Sequence, residues 1–307
     1  MRKPSWRAIQ LVLLAVATGF LGWKIQREWG TIQMSSAEFE LHPEWLVLSL
    51  LATWAMYAAL VEGWRRLVIG WGHRLPWLRA ARIWILSSIA AFIPGRVWGF
   101  AGMALMSERA GVRGGAAAAA AVVMQVLSIG TGVGVAAIAM GPEIGAYRAG
   151  ASVALTILGV IAISSTVALG NQRFLDWLWR LARRENAAPS APRWPALLES
   201  ALINVLAWLG YGVAFWALAR GILPDAHLPL RVAVGTYAVS YIAGYLAVFT
   251  PGGLGVRELF LVGLLTPSLG AEAAVALSLG SRLVIMLNQA GAAAPFLIFR
   301  ESASDGT

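Results

Sequence analysis

The stretch Phe249–Leu265, FTPGGLGVRELFLVGLL, decides how the chain folds. Pro251, Gly252, Gly253 and Gly255 break a long hydrophobic segment, and Arg257 and Glu258 stand inside the apolar run that resumes after them. A bilayer resists both features. Irregular backbone leaves amide and carbonyl groups without partners in hydrocarbon, and a central arginine costs ~2.5–3.5 kcal/mol on insertion scales. The two are expected together only where protein or a polar cavity satisfies them. The stretch therefore reads as a broken membrane helix built around a polar site.

The rest of the chain agrees with a lipid solvent. Of 307 residues 59% are hydrophobic and 13% charged, with a mean hydropathy of +0.69. Soluble domains carry about 25% charged residues. The net charge of +9 lies in short loops between apolar spans, where arginine and lysine set topology, so it gives no argument for nucleic acid. No cysteine is present, which excludes disulfide and thiol chemistry. Residues 1–25 start basic and continue apolar, like a signal peptide, but lack a small-x-small cleavage site and read as a retained first helix.

Full spans are expected at 8–25, 45–69, 116–140, 150–169, 196–219 and 271–299. Two further apolar segments are interrupted: 81–106 at Pro94-Gly95, and 232–266 at Pro251-Gly252-Gly253. The two pieces of the first have about ten residues each, ~15 Å of helix and half the hydrocarbon core. Arg2, Lys3 and Arg7 argue for a cytoplasmic N-terminus, and Glu28, Glu38, Glu40 and Glu44 for an outer first loop. Arginines 65, 66, 74, 79 and 82 mark an inner loop, as do those of 170–195. Both basic loops share a side if 81–106 enters and returns as a hairpin. By the same counting 232–266 is a second hairpin from the outside, although Arg220 and Arg231 would then lie outside.

The expected fold is thus an all-α polytopic membrane protein. It has about six spans and two re-entrant broken-helix hairpins in a single membrane domain, 1–307. Residues 45–140 and 196–299 would form inverted repeats joined across the Pro/Ala-rich linker 183–195. Such architectures place binding sites where the breaks meet near the midplane. The alternative is that each interrupted segment spans, kinked by its proline. Gly130 and Gly134 are expected to allow close helix packing, and Tyr237, Tyr241 and Tyr245 to form a packing stripe on one helix face.

The candidate ligand-binding residues come from three places. In FIPGRVWGFAGM, Phe92–Met103, a new half-helix starts after Pro94 and Gly95, with Arg96 at its positive end and Trp98 able to line the cavity. In PGGLGVRE the same logic selects Gly252, Gly253, Gly255, Arg257 and Glu258. Glu258 could equally clamp an arginine in a purely structural pair. Arg282 lies eleven residues into the last span, too deep to snorkel with ease. Gln125, Asn288 and Gln289 each read as interhelical hydrogen-bonding groups.

The three histidines and three aspartates all fall in loops. No metal-ligand cluster, nucleotide-binding loop or nucleophile-base set is evident, so neither a metal nor a cofactor is expected. Buried arginines and two helix N-termini suit an anion, and the chain reads as a binder rather than an enzyme.

IPGRVWGFAGMAL at 93–105, PGGLGVREL at 251–259 and SRL at 281–283 together resemble the transmembrane domain of lysylphosphatidylglycerol synthases, over roughly residues 8–299. The resemblance implies a bacterial-type cytoplasmic (inner) membrane location and a lipid-translocating role. In the full synthases this domain is the flippase half, beside a cytosolic aminoacyl-transferase domain not seen in this sequence. Many members carry an acid soon after the first-motif arginine and a Glu-Arg pair in the next span. Here stand Trp98-Gly99 and Gln125-Val126. A cationic lysyl headgroup would favour acids there, so a different lipid is expected.

The sequence therefore points to a flippase or transporter that binds an anionic, phosphate-bearing lipid headgroup in a midplane cavity through Arg96, Arg257 and Arg282. The alternative is a non-transporting accessory subunit of a glycolipid or cell-envelope pathway, with a biosynthetic enzyme as partner. Membrane lipids are the expected ligands.

Overall fold

The computed structural model describes residues 40–89, 97–147, 192–247 and 253–298, with single positions between 157 and 176; the side chains of 97 and 141–147 are outside the description. The predicted spans 8–25 and 150–169 and most of the linker 183–195 fall outside it, single helical positions apart. The described residues are helical with no strand. Among the described residues eight helices follow in order: α1 Pro43–Gly70, α2 Trp77–Ser88, α3 Val97–Arg109, α4 Gly114–Tyr147, α5 Trp194–Ile222, α6 Leu230–Leu246, α7 Val256–Leu269 and α8 Ala271–Ile298. A long helix, two short ones and another long one thus occur twice.

Among the described residues four helices are long and apolar enough to cross a bilayer: α1, α4 as far as Met140, α5 and α8. They match the spans expected at 45–69, 116–140, 196–219 and 271–299. Proline in the first turn starts α1 and α5, where its missing amide hydrogen costs nothing. The short helices have 12, 13, 17 and 14 residues. At 1.5 Å per residue none reaches the ~30 Å of a hydrocarbon core.

α1 and α5 pack antiparallel along their length. Ser200 Oγ donates to the Gly63 carbonyl at 2.9 Å, Gly210 faces Met56, and Gly221 faces Leu46. α4 runs parallel to α5, with Trp208 Nε1 donating to the Ser128 carbonyl at 2.9 Å. The indole lies so near Gly132 that an added Cβ would be 2.5 Å from it, while nothing lies that close to Gly134. A close approach thus falls at Gly132, beside the two positions expected, and Gly134 makes none. α4 begins beside the end of α1, where Trp64 Nε1 donates to the Ala117 carbonyl at 3.3 Å. The chain from α1 through α2 and α3 therefore returns to the end it left. α8 touches Ile222 of α5 at Gly280 and Trp54 of α1 at Gly291, so it runs parallel to α1 and passes the end of α5 at its tenth residue.

Two large apolar cores result, with a small third cluster at Leu86, Ile89 and Ala293. One gathers Trp64, Leu67, Ala80, Ala117, Leu127 and Leu197, toward the end where α1 finishes. The other gathers Ala136, Phe215, Val234, Leu261, Leu265 and Leu277. Outer faces are also apolar: Leu198, Leu202, Leu206 and Leu209 form an exposed stripe along α5. In water that stripe would be costly; in lipid it is the natural surface. At the end where α1 finishes, Arg65 and Arg66 both hold Glu62, and Arg66 reaches Glu199 of α5 at 3.2 Å.

Candidate functional site

The turn before α7 brings two backbones into contact. Gly253 and Gly255 have φ of +72° and +84°, a region L side chains rarely adopt. A Cβ on Gly253 would lie 2.7 Å from the Gly244 carbonyl oxygen, and one on Gly244 would lie 2.9 Å from Arg257 Cβ. Only glycines allow the end of α6 to seat against the start of α7. This seating drives the first turn of α7 into the protein interior.

Arg257 is 3% exposed, Glu258 8% and Arg282 6%. Arg257 Nη2 donates to Ser281 Oγ at 2.7 Å, and its guanidinium carbon lies 5.3 Å from the Tyr237 ring centroid. Among the described residues no carboxylate is within ion-pair reach of Arg257. Glu258 accepts from the Gly255 amide at 2.7 Å through Oε2, and Oε1 lies 3.7 Å from Arg282 Nη1. Glycine has no side chain to return a bond, so this is the reverse half of a capping box. The Gly255 amide, expected to assist a ligand, is thus occupied by Glu258. Two guanidinium groups and one carboxylate share this buried cluster.

Beside it lies a cavity of about 240 Å3, between the two apolar cores. Five of the six tyrosines line it: Tyr57, Tyr211, Tyr237, Tyr241 and Tyr245. Tyr211 stacks on Tyr237 at 5.7 Å between centroids, and Tyr237 on Tyr241 at 6.0 Å. Tyr57 meets Tyr211 edge-on at 6.1 Å. Gln125, Asn204 and Gln289 add amides, and α2 and α3 close one wall with Ser87, Ser88 and Phe100. Tyr241 lines the cavity yet stays 41% exposed, so the cavity is open on that side.

The expected sites are thereby redistributed. Arg257, Glu258 and Arg282 come together, but behind Tyr237 rather than on the cavity wall. Trp98 does not line this cavity: it is 48% exposed, whereas Gly99 and Phe100 face the chamber. Two residues along a helix turn by about 200°, which aims Trp98 away from the side Phe100 faces. Tyr237, Tyr241 and Tyr245 are cavity walls as well as packing residues. Their spacing of four already put the phenols on one face; Tyr57 and Tyr211, on other helices, carried no such signal. Pro94, Gly95, Arg96, Pro251 and Gly252 lie outside the described residues. Among the described residues no group of three or more His, Cys, Asp or Glu side chains could hold a metal ion.

A family model described as the lysylphosphatidylglycerol synthase TM region matches residues 8–290. No curated protein matches the chain. With nearly its whole length matched, the chain belongs to this family. It is a multi-pass membrane protein with a membrane lipid-related function.

Proposed function

We propose that this member of the family binds the phosphate of an anionic lipid headgroup and passes the lipid between leaflets, as a carrier and not an enzyme. The observation that carries the reading is Arg257, a buried guanidinium whose partners are a serine hydroxyl and a tyrosine face. A charge so placed costs several kcal/mol to desolvate unless something compensates it. A phosphate would do so, since guanidinium groups bind it through paired charge-assisted hydrogen bonds. Arg282 adds a second positive group, and Glu258 gives it a carboxylate to return to as the lipid leaves. Arg96 would complete the grip from the first broken segment.

The cavity is smaller than the ~300–1,000 Å3 of sites for drug-sized ligands. It suits a headgroup whose acyl chains remain in the membrane. Tyr237 stands between the cavity and Arg257, so a swing of this ring would join them. Two features support the inverted, re-entrant arrangement: α1 and α5 run in opposite directions, and α2–α3 return to the end they left. The arginines at 65, 66 and 193, grouped with Glu199 at one end, fit a cytoplasmic face there and an inner-membrane location.

The test is mass spectrometry of lipids retained by gently purified protein, wild type against Arg257→Ala. Enrichment of a phosphate lipid over bulk membrane, lost in the variant, is expected. Bulk composition in both would overturn the site and turn attention to the accessory-subunit reading and a protein partner.

A further inference from the structure

We infer that the two halves of the chain trade packings about the chamber, so that Met124 in one half and Ser281 in the other are paired gate residues for its two ends. This rests on the leaflet-passing reading above and adds how the chamber changes side. Three observations carry it.

The first is register. α5 begins 151 residues after α1, α6 begins 153 after α2, and α8 begins 157 after α4. Moved by that offset, every buried residue of α1 falls on a buried residue of α5: Ser49 on Ser200, Thr53 on Asn204, Trp64 on Phe215, and so on through the helix. Contacts repeat as well. The rings of Trp64 and Trp84 meet at 6.0 Å and 50°, and those of their counterparts Phe215 and Tyr237 at 5.8 Å and 48°. Arg65 donates to the Leu75 carbonyl at 3.3 Å, and the matching pair has Trp216 donating to the Leu228 carbonyl at 3.1 Å. With α1 and α5 antiparallel, the halves are inverted copies in register and in contacts. The chamber lies between them: Tyr57 and Trp208 line it as one matched pair, Trp84 and Tyr237 as another.

The second is where the match fails. Ser200 Oγ donates to the Gly63 carbonyl at 2.9 Å. Met124 Sδ lies 3.3 Å from Asn204 Nδ2, and its methyl carbon would lie 2.8 Å from a Cβ on Gly63. Met124 thus plugs the seam of α1 and α5 toward the end where α1 finishes. The counterparts of Ser200, Gly63, Asn204 and Met124 are Ser49, Ala214, Thr53 and Ser281. Those four instead line a gap of about 10 Å3, room for roughly one water.

The third is continuity. Thr53, Tyr211, Tyr237 and Ile285 line both gap and chamber, so the gap extends the chamber toward the end where α1 begins. Ser281, on its wall, accepts from Arg257 Nη2 at 2.7 Å. One end is sealed by a thioether, and the other keeps a void beside the partner of Arg257. Inverted repeats around one site let each half take up the other's packing, which opens the opposite end. Matched contacts are traded in that exchange, and the unmatched pair Met124 and Ser281 sets which end is favoured.

The experiment uses the absence of cysteine, since a single introduced thiol reports alone. Ser49→Cys and Ser200→Cys, in full chains held in lipid nanodiscs, are timed against a charged methanethiosulfonate reagent. Ser49→Cys should react about tenfold faster. Adding Met124→Ser should reverse that order, raising one rate and lowering the other. Met124→Ala repeats the test without a new hydroxyl, and melting profiles show which variants are folded. Replacing phosphatidylcholine by phosphatidylglycerol in the nanodisc should move the two rates in opposite directions with no gate substitution at all. Rates that rise together, change at one position only, or stay fixed under every change would overturn the inference. Opposed rates on Met124→Ser with no response to phosphatidylglycerol would overturn the lipid-phosphate reading and leave the exchange standing.

Discussion

The guanidinium carbon of Arg257 lies 5.3 Å from the ring centroid of Tyr237, and the same ring lines the central cavity. One tyrosine therefore touches both halves of the site, the charged cluster and the aromatic chamber. Charge sits buried behind the ring, and hydroxyl and amide groups line the chamber in front of it.

Arg257→Met tests whether that charge serves ligand or fold. The variant keeps the Cβ that packs on Gly244 but loses a charged hydrogen bond of ~1.5–3 kcal/mol and a cation–π contact of ~0.5–2 kcal/mol. Relief of desolvation offsets both. Thermal stability in detergent should shift by no more than about 1 kcal/mol, while anionic-lipid retention falls tenfold or more. Collapse of the fold with no separate lipid effect would assign Arg257 a structural role.

Glu258→Gln should behave in the opposite way. A glutamine can still accept from the Gly255 amide, but Arg282 loses its carboxylate. Breaking a buried pair costs about 3–5 kcal/mol, and the 3.7 Å separation puts this one near the lower figure. Adding Arg282→Met should recover most of the loss. A double-mutant cycle in thermal unfolding measures the coupling.

Gly253→Ala and Gly255→Ala separate backbone strain from crowding. Both positions have positive φ, which costs an L residue about 1–2 kcal/mol. A Cβ at 255 meets nothing within 4 Å, while at 253 it meets the Gly244 carbonyl at 2.7 Å. Gly253→Ala should be clearly the more destabilising in parallel melts and should also weaken lipid retention by displacing Arg257. Equal effects would place the seating of α6 on α7 in error.

Gly132→Val should push the Trp208 indole, which an added Cβ would approach to 2.5 Å, toward the cavity it lines. Overpacking of this kind costs about 1–3 kcal/mol. Retention of lipid should fall more than the loss of stability explains; unchanged retention would remove Trp208 from the site.

Much of this was legible in the sequence. Long apolar runs gave α1, α4, α5 and α8, because span length follows from bilayer thickness. Gly253 and Gly255 located the turn into α7, because positive φ admits little else. Arg282 announced its burial by its depth in α8. What could not be read was which side chains share a wall. The cavity's tyrosines come from three helices, one of them far away in sequence, and no local spacing encodes that Tyr237 comes between Arg257 and the cavity. That Trp98 turns away from the cavity could not be read either, because a break followed by an aromatic says nothing of helix rotation. Gln125, Asn204 and Gln289 are single amides, indistinguishable in sequence from ordinary interhelical hydrogen-bonding groups.

The most direct test of the central claim is leaflet exchange in proteoliposomes, with a fluorescent anionic phospholipid and a membrane-impermeant quencher. The account predicts that wild-type protein lets the quencher reach the inner-leaflet pool, and that Arg257→Met, folded and inserted at equal density, does so no faster than protein-free vesicles. Exchange at the protein-free rate with wild type, or equal exchange with both proteins, would contradict it.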